Sequence, residues 1–184
     1  MPTDLTPEQI QNLIDYANSF DTERNARWVN ASHKLATFDH FIVVTVQGLG
    51  KLDSKLLKED EMLVQQNTSS SPFGGMSDHI TISYLWVLGA YEIIRSLEQR
   101  AREESDFLPE QKESLQKLKW RFERLRIPLA KFEAAKKHFD TDSHIAYPGV
   151  NTELGIAWQV SQDTWITRRE LSDSMLELFE SINA

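Results

Sequence analysis

Six apolar residues late in the chain set the strongest constraint on its fold. Leu115, Leu118, Phe122, Leu125, Leu129 and Phe132 follow one another at spacings of 3, 4, 3, 4 and 3. On a helix that rhythm draws one apolar seam, and such a seam is stable when it faces another helix. The chain must therefore supply partner helices. Pro128 falls inside the seam. A proline in a helix interior removes a backbone donor and clashes with the preceding turn, at a cost of about 3 kcal/mol. The seam keeps its phase across Pro128. The expectation is one kinked helix running through "RFERLRIPLAKFEAAKKHF", residues 121–139, with the Arg124 carbonyl left without its helical donor.

The partner helices can be read from their start signals and periods. In "TPEQIQNLIDYANSF", Thr6 can cap, Pro7 suits the first helical position and Gln9 completes a capping box. Ile10, Leu13, Ile14 and Ala17 then form one stripe. A second helix follows Asp21, with Trp28, Val29, Leu35 and Ala36 inward. Phe41 to Val46 is β-branched enough for a strand but has no evident partner strand. It reads better as a buried helix, weakened at Gly48 and Gly50 and resuming near Asp53. "NTSSSPFGGMS", residues 67–77, has the composition of a flexible surface loop. Ser77 or Asp78 can cap the next helix, whose Ile80, Ile82, Leu85, Trp86, Val87, Leu88, Ile93, Ile94 and Leu97 lie all around it. A helix apolar on every side belongs in the middle of a bundle.

Near the C-terminus the period changes from helix to strand. "GIAWQV", "SQD" and "TWIT" read as a β-hairpin over about 155–167, with Ile156, Trp158 and Val160 on one face. Thr167 and Glu170 form a second capping box, followed by the stripe Leu171, Met175, Leu178 and Ile182. The fold class is mainly α: a helical bundle over residues 1–184 in one domain, with a small β-hairpin before its last helix.

Composition removes whole classes of chemistry. There is no cysteine, so disulfides, thiolate zinc sites, iron–sulfur clusters and a Cys nucleophile are excluded. At 184 residues the chain can bury a core without a staple. The opening "MPTDLTPEQI" has neither a basic n-region nor an apolar h-region, so no signal peptide and a cytoplasmic location are expected. No apolar run is long enough for a membrane span, and no membrane partner is expected.

Charge is unevenly spread. The whole chain carries a formal net charge of −8, yet residues 112–138 hold nine of its 20 Lys and Arg. Lys117, Arg121, Arg124 and Lys131 fall on one flank of the seam, with Arg126 close by. Trp120 and Ile127 lie opposite the seam, where solvent is the ordinary neighbour, so that face also meets something. The flank has three uses open to it. It can pair internally with acids such as Glu59, Asp60 and Glu61. It can meet acidic residues of a second copy in a homodimer. It can bind RNA or another anionic ligand through phosphate.

Two further clusters carry possible chemistry. Tyr84, Tyr91, Glu92 and Arg95 share one side of the apolar helix, and Glu92 and Arg95 are close enough to pair. They form either a packing network or a pocket for a small anion. "HFDTDSH" holds His138, Asp140, Asp142 and His144 at two-residue spacing. If extended, these side chains point one way and suit zinc, manganese or iron; in a turn, the same Asp and Ser serve as caps. His33, His40 and His79 have no partner spacing, and no HExxH, P-loop, GxSxG or GxGxxG motif is present. No cofactor is expected.

The layout over residues 77–139 is similar to the HEPN superfamily of helical-bundle proteins. The mark of that superfamily is an Arg followed after four to six residues by a His. In "LRIPLAKFE", Arg126 takes the Arg position, but Lys131 or Phe132 stands where the His would fall and His138 is too distant. The resemblance implies a dimeric helical protein that binds RNA or cleaves it. The missing His, the residue for acid/base work, favours a binding-only member. "LWVLGAYEIIR" with "RIPLAKFE" also resembles stretches of bacterial proteins that imply no activity. The functional expectation is a non-enzymatic binding or regulatory module, acting as a homodimer through its basic kinked helix. The alternative is HEPN-like RNA binding or cleavage by Arg121, Arg124, Arg126 and Lys131, with Tyr91, Glu92 or Arg95 contributing. A metal enzyme built on His138, Asp140, Asp142 and His144 is a third reading.

Overall fold

A computed structural model describes residues 5–65 and 75–183. Among these the chain forms six α-helices and one three-stranded sheet. The helices are α1 (Pro7–Asn18), α2 (Thr22–His33), α3 (His40–Val64), α4 (Met76–Glu103), α5 (Lys112–Lys131) and α6 (Arg168–Glu180). Between α5 and α6 lie a 3-10 turn, Lys136–His138, and strands β1 (Tyr147–Asn151), β2 (Gly155–Ser161) and β3 (Thr164–Thr167). The fold is mainly α with a small antiparallel sheet before the last helix, and none of the described helices is long and apolar enough to cross a membrane.

Both capping boxes form. Thr6 and Gln9 close α1, and Thr167 and Glu170 close α6, each satisfying two backbone donors that a helix start leaves unpaired. Asp21 caps α2 by accepting the Arg24 N–H. The start of α4 differs from expectation: its N-cap is Gly75, and neither Ser77 nor Asp78 caps it. The flexible loop expected at 67–77 lies mostly outside the described residues; its last two, Met76 and Ser77, are helical.

Phe41 to Val46 is helical, as its lack of a partner strand implied, but it is not buried. Val46 alone of that stretch is fully covered, while Phe41 and Val44 are 84% and 69% exposed. Neither Gly48 nor Gly50 breaks α3. Gly50 is where α2 crosses closest: a Cβ there would sit 2.4 Å from the Trp28 side chain. α4 lies against α3, α5, α6 and β2, yet Leu85 faces outward at 55% exposure, so the helix is not central on every side.

The seam on α5 buries Leu115, Leu118, Phe122 and Leu125 against the core, and Leu129 half-covers it. It does not run on to Phe132. The helix ends at Lys131, and Phe132 takes a left-handed conformation with its ring 67% exposed. Pro128 denies the Arg124 carbonyl its donor, and only one turn of helix survives beyond it. The chain then doubles back. Ala135, Lys136, Lys137 and His138 lie beside Trp120 and Ile127, with Lys137 over the Trp120 ring. That is what the outer apolar face of α5 meets.

The expected hairpin is β2–β3, with Trp158 opposite Ile166. A third strand, β1, pairs with β2 on its other edge in the order β1-β2-β3. Its sequence, YPGVN, hides it: Pro and Gly weaken a strand signal, and an edge strand tolerates both. Ile156, Trp158 and Val160 enter the core as predicted, where Leu171, Met175, Leu178 and Ile182 of the last helical stripe join them.

Candidate functional site

The polar centre of the molecule is a buried ion network that the sequence did not announce. Asp53 and Asp60 are seven residues apart, so they face one way from α3, two turns apart. Arg168, the first residue of α6 and 0% exposed, reaches both. Its Nη1 donates to Asp53 Oδ1 and its Nη2 to Asp60 Oδ2. Asp53 Oδ2 also accepts Arg24 Nε at 2.5 Å and Trp28 Nε1 at 2.8 Å, both from α2. Arg24 continues to Ser172 Oγ at 2.5 Å and to Asp173 of α6 at 2.6 Å. Asp60 Oδ1 accepts the Ile156 N–H of β2 at 3.1 Å. His79 Nε2 of α4 stands 3.2 Å from the same oxygen, off the line of a well-aligned hydrogen bond.

The network joins α2, α3, α4, α6 and β2 through two buried carboxylates and two guanidiniums, with the more exposed Asp173 at its outer end. Burial alone would raise both Asp pKa values; the Arg168 guanidinium overrides it, helped by Arg24 at Asp53 and His79 at Asp60, and both carboxyls sit below the ordinary range. Asp60 was expected at the surface with Glu59 and Glu61 as a partner for the basic flank. Instead Asp60 and Glu59 are buried, and Asp60 is committed to Arg168. Gly155, at φ +80°, makes room for it: a Cβ there would fall 2.1 Å from Asp60 Oδ1. The sequence signal was the seven-residue spacing of two acids on a helix with an apolar face, together with an Arg at the head of the last stripe.

The basic flank of α5 divides into two sets. Arg124 grips Asp142 with two hydrogen bonds of 2.7 and 2.9 Å, tying the chain after the 3-10 turn to α5. That bond raises the Arg124 pKa; at Asp142, burial pushes up but Arg124 outweighs it and the carboxyl is lowered. Arg126 leans toward α4, 3.7 Å from Glu92 and stacked on the Tyr91 ring. These two are fastened into the fold. Lys117 and Arg121 instead border a groove of about 330 Å³ between α5 and α6, lined also by Ser114, Ser174, Glu177 and Ser181. Arg121 donates to Ser174 Oγ at 2.7 Å, and Lys117 pairs with Glu113 one turn back at 2.5 Å. Both are exposed, as is Lys131 in the last turn.

The other two predicted clusters do not assemble. Tyr84, Tyr91, Glu92 and Arg95 diverge. Tyr91 turns inward and donates to Glu123 of α5 at 3.2 Å; burial, reinforced by that carboxylate, raises its pKa. Tyr84 packs against the core. Glu92 and Arg95 pair at 2.8 Å, but on the surface, with their side chains 49% and 45% exposed. His138, Asp140, Asp142 and His144 are in turns rather than an extended run. The His138 carbonyl accepts from the Thr141 and Asp142 N–H groups, Asp142 is taken by Arg124, and His144 lies edge-on to Phe139. Among the described residues no three His, Asp or Glu side chains converge as metal ligands. No known protein family, curated protein or solved structure matches this chain.

Proposed function

We propose that the protein is a cytoplasmic, non-enzymatic binding module whose working surface is the exposed basic edge of α5 and the groove it shares with α6. The observation that supports this is the division of the basic flank. Arg124 and Arg126 are tied to carboxylates of other elements, whereas Lys117 and Arg121 stand exposed one turn apart at a groove rimmed by three serines, with Lys117 paired to the exposed Glu113 of its own helix. Two exposed cations one turn apart suit a carboxylate or phosphate group carried by a partner. An acidic protein segment is the occupant that fits best, because five arginines and lysines tracking an RNA backbone are reduced here to two beside the groove, with Glu177 on its far wall.

The test is solution mass by light scattering at low and high salt, with an acidic peptide and with a short single-stranded RNA. Binding of the peptide that weakens with salt and is lost in Lys117→Glu with Arg121→Glu is the expected result. An RNA complex with a steep salt dependence would replace this reading with RNA recognition. Peptide binding indifferent to those two substitutions would remove the groove from the mechanism.

A further inference from the structure

Two apolar faces of the described residues lack a cover, and they match each other. The first is α1. None of its residues is buried. Leu5 and the stripe residues Ile10, Leu13 and Ile14 are between 45% and 54% exposed. Lys51 of α3 tethers its last turn: it donates to the Tyr16 hydroxyl and lies over the rings of Tyr16 and Phe20. The second face is on α3. Phe41, Val44, Gly48 and Lys51, at spacings of 3, 4 and 3, share one side of that helix. Phe41 is 84% exposed, Val44 is 69% exposed, and a Cβ at Gly48 would meet nothing within 4 Å.

We propose that α1 of one copy docks on the Phe41–Val44–Gly48 face of a second copy, and the reverse, giving a two-fold dimer with exchanged N-terminal arms. Lengths agree: twelve residues of α1 span ~18 Å, and Phe41 to Lys51 spans ~15 Å along α3. Gly48 leaves the α3 surface flat for close approach of a helix. α1 carries Glu8 and Asp15 on the side opposite this stripe, so the face it offers for docking is apolar. The exposed parts of Leu5, Ile10, Leu13, Ile14, Phe41 and Val44 amount to roughly 700 Å² per chain, close to the ~800 Å² per partner of a standard interface. The surface uses none of the residues of the α5–α6 groove.

Sedimentation equilibrium of the full chain tests the association. The expected mass is twice the 21.3 kDa of one chain. Phe41→Asp with Val44→Asp, or Ile10→Asp with Leu13→Asp, raises the dissociation constant by more than roughly tenfold; circular dichroism keeps the fold in view. Lys117→Glu with Arg121→Glu leaves the mass unchanged, so loss of this dimer and loss of the groove reading are told apart. A monomer at high concentration, or a dimer indifferent to both Asp pairs, overturns the proposal. The arm exchange has its own test, because the chain has no native cysteine. Leu13→Cys and Val44→Cys chains, mixed and oxidised, form the mixed disulfide in preference to either like pair. A bond that forms only when both cysteines are on one chain shows α1 folding back on its own α3, which also overturns the exchange.

Discussion

α1 and α6 are nearly the same helix in sequence terms and opposite in structural fate. They have 12 and 13 residues, each opens with a Thr capping box, and each carries an apolar stripe. In α6, Leu171, Met175, Leu176 and Phe179 are 0% exposed; in α1 no residue is buried. Local signals therefore decide that a helix starts and which side is apolar. They do not decide what covers that side. α6 is covered because Arg168 at its head is drawn between Asp53 and Asp60 of α3, which helps set the helix against α2, α5 and β2. Among the described residues α1 has no buried ion pair of that kind and is held near its end through Tyr16.

The strongest way to break the contrast is to remove that anchor. Arg168→Ala leaves two buried carboxylates without their shared cation and costs about 3–5 kcal/mol, measured by urea unfolding. A loss within about 1 kcal/mol would mean that apolar packing alone seats α6. The same network is legible through pH. Asp53 and Asp60 are lowered below their ordinary pKa, so the stability they contribute is complete above the unfolded value of about 3.9 and is lost as pH falls through their lower folded values. Thermal unfolding scanned from pH 6 to pH 2 should show that loss, and it should shrink in Arg168→Ala.

One truncation made in both helices sharpens the comparison. Leu171→Ala opens a cavity in the core and costs about 2–5 kcal/mol. Leu13→Ala in dilute protein stays within about 0.5 kcal/mol. Raising the protein concentration should make the Leu13 change costly if copies associate through α1. Equal costs at low concentration would mean that α1 is seated on the body after all. The caps give the smallest effect. Thr167→Ala removes about 1 kcal/mol from global unfolding. Thr6→Ala leaves global unfolding unchanged and speeds amide exchange within α1 alone.

The candidate site was legible in part. The basic flank was visible as charge clustered beside a seam, and Lys117 and Arg121 do border an open groove. What the pattern could not say is which of its cations the fold had already taken. Arg124 is held by an Asp 18 residues on, Arg126 by a Glu on α4, and Lys119 by Glu98. None of these pairs has a sequence spacing that marks it. The buried network escaped for the same reason. Arg168 meets Asp53 and Asp60 across 115 and 108 residues of chain. The apparent metal run failed because spacing was read as if extended, and hydrogen bonds within a few residues folded it into turns.

The sequence by itself determined the capped starts of α1, α2 and α6, the buried faces of α5 up to Leu125 and of α6, the helical state of Phe41 to Val46, the β2–β3 hairpin and the exclusion of cysteine chemistry. These depend on neighbours three or four residues apart on a helix, or two apart on a strand, where side chains and backbone meet in any context. Tertiary structure alone decided that α5 stops one turn past Pro128, that Asp60 is buried, and that the α1 stripe is left uncovered. Each depends on which distant surface arrives to fill a space or neutralise a charge, and no local pattern carries that information.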